Sequence, residues 1–156
     1  MRKVIVWLAL LGLIGSVSAA DLRVGTWKLN IAKSKMPASV QESLKEETLV
    51  ARVVDGNMEV VSTGTSADGS SFSSRYTFPV QGGMAKYQAR DPGQGVSILF
   101  TVIDEHTMYI TSLFNGKQAA VIQSVFSKDG RSFQNTTRGV DEDGKPFERV
   151  TVFEKQ

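Results

Sequence analysis

Few residues in this 156-residue chain are equipped for covalent chemistry. His106 is the only histidine and no cysteine occurs, so the usual transition-metal ligand sets cannot be assembled within one chain. His106 sits in the turn Asp104-Glu105-His106, where solvent is the default neighbour, and no nucleophile-elbow pattern accompanies it. Sixteen acids leave paired-carboxylate chemistry formally open, but none reads as lying in an apolar context that would raise its pKa. The glycines fall in turns and do not follow a strand to open a helix, so there is no phosphate-binding loop. Asp141-Glu142-Asp143-Gly144 has the look of a calcium loop, yet the twelfth position is Val152 where a bidentate Glu is needed. The residues therefore predict a protein that is not an enzyme and carries no metal or cofactor.

The remaining chemistry is recognition. Tyr76, Phe78 and Phe100 lie in alternating apolar runs that point inward. These residues would line a pocket or simply fill it. Trp27 has the same ambiguity, serving as a ligand platform or as core.

The elements that position these groups are strands. Asp55-Gly56, Asp68-Gly69, Gly82-Gly83, Pro92-Gly93, Asn115-Gly116, Asp129-Gly130 and Asp143-Gly144 supply the positive φ that two-residue hairpin loops require. Phe72, Ser74, Tyr76, Phe78 and Val80 share one face, as do Val96, Ile98, Phe100 and Val102. Strands are predicted near 24–30, 46–54, 58–65, 71–80, 84–89, 96–103, 107–114, 118–127, 132–139 and 147–154, with eight to ten the expected range. Short links favour an all-β, antiparallel up-and-down meander closed into a barrel over a Greek-key sandwich. Residues 31–45 break the rhythm, with room for one helical turn. Asp-Gly-x-x-Phe recurs at Asp68–Phe72, Asp129–Phe133 and Asp143–Phe147, which reads as a hairpin turn followed by an inward aromatic that closes a barrel end.

Arg2 and Lys3, the apolar Val4–Ile14 and the small residues Ser16–Ala20 form an export signal over residues 1–20, with cleavage after Ala20 or Ala19. The apolar run is well short of the roughly 20 residues of a spanning helix. Periplasmic or secreted localisation is expected, and the absence of cysteine excludes a lipid-modified cysteine at the cleavage site. Residues 21–156 then form a single domain whose acids and bases balance at 16 each. A near-neutral surface gives no reason to expect nucleic acid or stable membrane insertion.

Gly25-Thr26-Trp27-Lys28-Leu29 resembles the opening strand of the calycins, the lipocalins and fatty-acid-binding proteins, whose signature there is Gly-x-Trp. Val152-Phe153-Glu154-Lys155 is similar to the Ile-Tyr-Glu-Lys ending of the fatty-acid-binding branch. Gly25 to Met36 also looks like the start of bacterial exported lipocalin-like domains. The resemblance implies a calycin-like barrel with an internal cavity, Gly25 and Trp27 being structural. It also implies an arginine packed across Trp27, for which Arg149 and Arg138 compete. The carboxylate clamp of the fatty-acid-binding branch is absent, because Thr151 and Phe153 stand where its arginine and tyrosine belong; Arg149, two residues before Thr151 on the same face, is placed to replace the missing cation, and Arg138 on the preceding strand competes for that job. The 31–45 linker is too short for that branch's two-helix lid. The predicted function is an exported protein binding a small, mostly hydrophobic ligand inside the barrel. The alternative is an interaction or scaffold module with a filled interior. A void above about 300 Å³ would favour binding.

Overall fold

The computed structural model describes residues 21–37, 44–89, 95–140 and 143–156. The export signal, residues 38–43 of the linker, the Pro92-Gly93 turn and Asp141-Glu142 of the calcium-like stretch lie outside the described residues.

Among the described residues, eleven antiparallel strands form one sheet: β1 (Gly25–Leu29), β2 (Leu44–Val54), β3 (Asn57–Ser66), β4 (Ser71–Pro79), β5 (Gly82–Met84), β6 (Lys86–Ala89), β7 (Val96–Val102), β8 (Thr107–Phe114), β9 (Lys117–Phe126), β10 (Ser132–Val140) and β11 (Pro146–Lys155). The spatial order β5-β7-β8-β9-β10-β11-β1-β2-β3-β4-β6 is a meander whose first and last strands are paired, Trp27 lying opposite Lys155 and Leu29 opposite Phe153. The two ends of that order, β5 and β6, are consecutive in the chain. β5 bonds to β7 and β6 to β4, with Ala85 N–H donating to Ile98 O at 2.9 Å between them. The ring is therefore almost closed, and its topology is calycin-like.

The count of eleven corrects the expected eight to ten. The single strand expected over 84–89 starts earlier and is broken at Ala85, so each half finds a different partner. Gly82 and Gly83, at φ +102° and +144°, take backbone geometry that a side chain would disfavour and swing the chain from β4 to β7. Among the turns, Asp55-Gly56 and Asn115-Gly116 have positive φ at both residues, as a type I′ hairpin requires. At Asp68-Gly69 and Asp129-Gly130 only the glycine does, because each aspartate accepts from the backbone N–H two residues on and stabilises a longer loop.

The predicted helical turn is a 3₁₀ turn at Ile31–Lys33, capped by the Asn30 side chain accepting from Lys33 N–H. Beyond it Lys35 bridges to Val150, so the chain continues along β11 past the end of β1.

The interior holds two apolar clusters. One comprises Ala51, Met58, Val60, Phe78, Phe100 and Met108. The other comprises Trp27, Leu29, Phe126, Phe133 and Phe153. Of the three Asp-Gly-x-x-Phe aromatics, Phe133 belongs to the second cluster near the β9–β10 turn. Phe72 and Phe147 serve the opposite rim, where each covers a cross-strand glycine, Gly64 and Gly139 respectively.

Candidate functional site

Trp27 defines the base of the barrel. Its ring is almost wholly buried and meets Phe133 and Phe126 edge-on, at centroid distances of 5.0 and 5.8 Å. Its indole N–H donates to Arg23 O at 3.0 Å. The Arg23 guanidinium is in turn paired with Asp21 at 2.7 Å and donates to Val80 O at 2.9 Å, which ties the segment before β1 across the barrel floor. Burial pushes the Asp21 carboxyl up, but Arg23's hydrogen bonds and charge outweigh it and hold the group below its ordinary value. The cation over Trp27 is Lys155, with Nζ 4.9 Å from the ring centroid, and not the expected Arg149 or Arg138. Register explains the correction: Lys155 lies directly opposite Trp27, whereas Arg149 is six residues back along β11. Gly25 has φ +146°, and a Cβ there would run into the Lys155 stem, so glycine serves both the backbone and the capping lysine.

Above this floor lies a cavity of about 90 Å³. Trp27, Phe126 and Phe133 bound one side. Tyr76, Phe78 and Phe100 bound the other, with Phe78 and Phe100 stacked at 3.7 Å and 2°. Leu49, Ala51, Met58, Val60, Met108 and Ile110 complete an almost wholly apolar wall. Its polar exceptions are Arg23 at the floor and the pair Ser124 and Asn135, whose Oγ–H donates to Oδ1 at 2.6 Å. The volume falls short of the 300 Å³ expected of a site for a drug-sized ligand.

Of the predicted site residues, Tyr76, Phe78, Phe100 and Trp27 are brought together around this cavity. Phe153 is buried and stacks on Phe133 at 4.8 Å, within the second cluster. Thr151 faces Asn135 and Arg149 faces Thr137 on the inner surface, one and two pleats further along β11. Arg138 is corrected. It lies on the outer face, mostly exposed, with Nε 2.6 Å from Glu148, because Asn135 and Thr137 occupy the inward positions of β10.

A polar layer above the cavity was not anticipated from sequence. Glu47 lies two residues before the cavity-lining Leu49 on β2 and so faces inward, accepting from Ser62 Oγ–H at 2.8 Å. Burial pushes its carboxyl above the ordinary value, against the opposing pull of Ser62 and the Arg149 charge. This overturns the expectation that no acid sits in an apolar setting. The signal was available in the alternation Glu47-Leu49-Ala51, but Glu46-Glu47 reads as a solvated strand entrance. Burial, then the proximity of Tyr87 and Glu47, also pushes the Tyr76 hydroxyl well up and keeps it neutral. Arg149 Nε is buried and, among the described residues, is the one such side-chain atom without a hydrogen-bond partner. His106 faces the Phe126 carbonyl at 3.1 Å and Glu105 at 3.4 Å, on the turn outside the cavity.

No protein-family model matches the chain, and no curated protein matches it. Among solved structures it is similar to the siderocalin Ex-FABP, described as functioning through dual ligand specificities. Identity there is 10% and the TM-score 0.46, over 86% of this chain and 71% of that one. It is also similar to lobster apocrustacyanin A1, at 11% identity and a TM-score of 0.46 over 88% of this chain, spanning 62% of that protein.

Proposed function

We propose that the protein is an exported, non-enzymatic binding protein that takes one small, mostly apolar molecule into the waist of its barrel. The observation that carries this reading is the cavity of about 90 Å³ walled by aromatic and aliphatic side chains. At about 24 cal/mol per Å³, leaving such a void unfilled forgoes about 2 kcal/mol of packing, a cost that a plain scaffold has no reason to keep. An occupant would gain about 25 cal/mol per Å² of apolar surface withdrawn from water. Its size is limited to a single ring or a short branched chain; a long acyl chain does not fit. Met58 and Met108 give the wall some adaptability, and Asn135 offers a polar handle. The n-region, apolar run and small-residue stretch of residues 1–20 support export to the periplasm or beyond.

Native mass spectrometry of the protein purified from its own host tests this. A co-purifying mass of one-ring size is expected. A bare protein mass, together with no thermal shift from a panel of small aromatic and branched aliphatic compounds, would overturn it.

A further inference from the structure

We propose that the preferred occupant is a small, uncharged carbonyl compound, its ring in the cavity and its oxygen accepting from the Nδ2 amide group of Asn135. The inference rests on the binding function proposed above and names the ligand class for that same site.

The polar groups of the cavity wall are few, and their bonding decides what each can still do. Arg23 has all three guanidinium nitrogens engaged, two of them with Asp21 and the third with Val80 O. Its charge is matched by Asp21, so the floor offers a ligand no counter-ion. The Trp27 indole N–H is taken by Arg23 O. Tyr76 meets the wall through its ring, which stacks on Phe100 at 5.7 Å. Ser124 is only 2% exposed, and its hydroxyl donates to Asn135 Oδ1 at 2.6 Å. That length is typical of O–H···O and short for an amide N–H···O, so it is the oxygen of Asn135 that meets Ser124. Register holds the pair in place, Ser124 of β9 lying directly opposite Asn135 of β10.

Fixing Oδ1 on Ser124 turns Nδ2, with its two N–H donors, to the other side of the amide. Among the described residues nothing accepts from this nitrogen, and it is not sealed off, since Arg149 Nε is the one sealed side-chain atom without a partner. Asn135 borders the cavity, so those donors are open to its occupant. A carbonyl oxygen has two lone pairs and no donor of its own, which complements them. An alcohol would bring an O–H whose nearest acceptors, Ser124 Oγ and Asn135 Oδ1, are already bonded to each other. A carboxylate or an ammonium would be an unpaired charge against an apolar wall. A hydrocarbon would cover the amide donors and leave them unbonded.

Titration of the purified protein with cyclohexanone, and with methylenecyclohexane and toluene as rings that lack an acceptor, tests the inference. Cyclohexanone should bind, and isotope-edited infrared spectra should place its bound carbonyl stretch below the value in hexane. Asn135→Leu should lower the affinity ratio of cyclohexanone to methylenecyclohexane about tenfold. Cyclohexanol should bind more weakly than the ketone, and benzoate should not compete with it. A carbonyl stretch at its hexane value, a ratio that survives Asn135→Leu, or preferred binding of cyclohexanol or benzoate overturns this inference and leaves the binding function standing. Failure of every one of these probes overturns the two together. The infrared reading needs no variant, so it decides the matter even if Asn135→Leu does not fold.

Discussion

Filling the cavity from its wall should separate stability from binding. Ala51 is buried on β2, opposite Val60 of β3, and its methyl lines the void. Ala51→Val adds two methyl-sized groups, each worth about 0.8 kcal/mol when buried. The cavity can return about 2 kcal/mol if fully filled, so about 1.6 kcal/mol fits within what is available. Valine's preference for strand geometry adds to this, and its rotamer loss is small. A net gain of about 1 kcal/mol is expected, equivalent to about 3–5 °C in Tm for a domain of this size. Urea unfolding followed by tryptophan fluorescence reads it directly, because Trp27 is the only tryptophan after residue 20. The same variant should lose toluene binding. A destabilisation of 1 kcal/mol or more, the mark of overpacking, would mean the space is not there. A stabilised variant that still binds toluene would place the ligand elsewhere.

Further outcomes follow from the same geometry. Because Glu47's carboxyl is raised in the folded state, its stabilising contribution is fully present below the unfolded value near 4.5 and is lost as pH rises through the raised one. Urea melts from pH 4 to 8 should therefore show the wild type losing stability relative to Glu47→Gln as pH rises; the opposite slope would refute the assignment. Gly64→Ala would drive a Cβ into the Phe72 ring and the Glu46 carbonyl, and should cost about 1–3 kcal/mol in equilibrium unfolding. Arg138→Ala removes only an exposed pair with Glu148, so a change in stability above about 1 kcal/mol would contradict its outward placement.

The strand plan was legible because both of its signals are local. Alternation along β4 and β7 and the Asp-Gly and Asn-Gly turns depend only on neighbours in sequence, and the inward set Tyr76, Phe78 and Phe100 came out as read. The break at Ala85 was not legible, since it shows only in the pairing, where the residues before it bond to β7 and those after it to β4. Arg138 and Arg149 look alike in sequence, and only the register of β10 against β11 turns one outward and the other inward.

By itself the sequence determined the class of fold and the identity of its closing strands, because hydrophobic period, turn chemistry and the Gly25-x-Trp27 pattern act at short range. Tertiary structure alone decided which cation covers Trp27, how much of the interior stays empty, and that Glu47 is turned inward and bonded to Ser62. Those outcomes depend on shear between strands far apart in the chain, where a shift of two residues exchanges one inward neighbour for another.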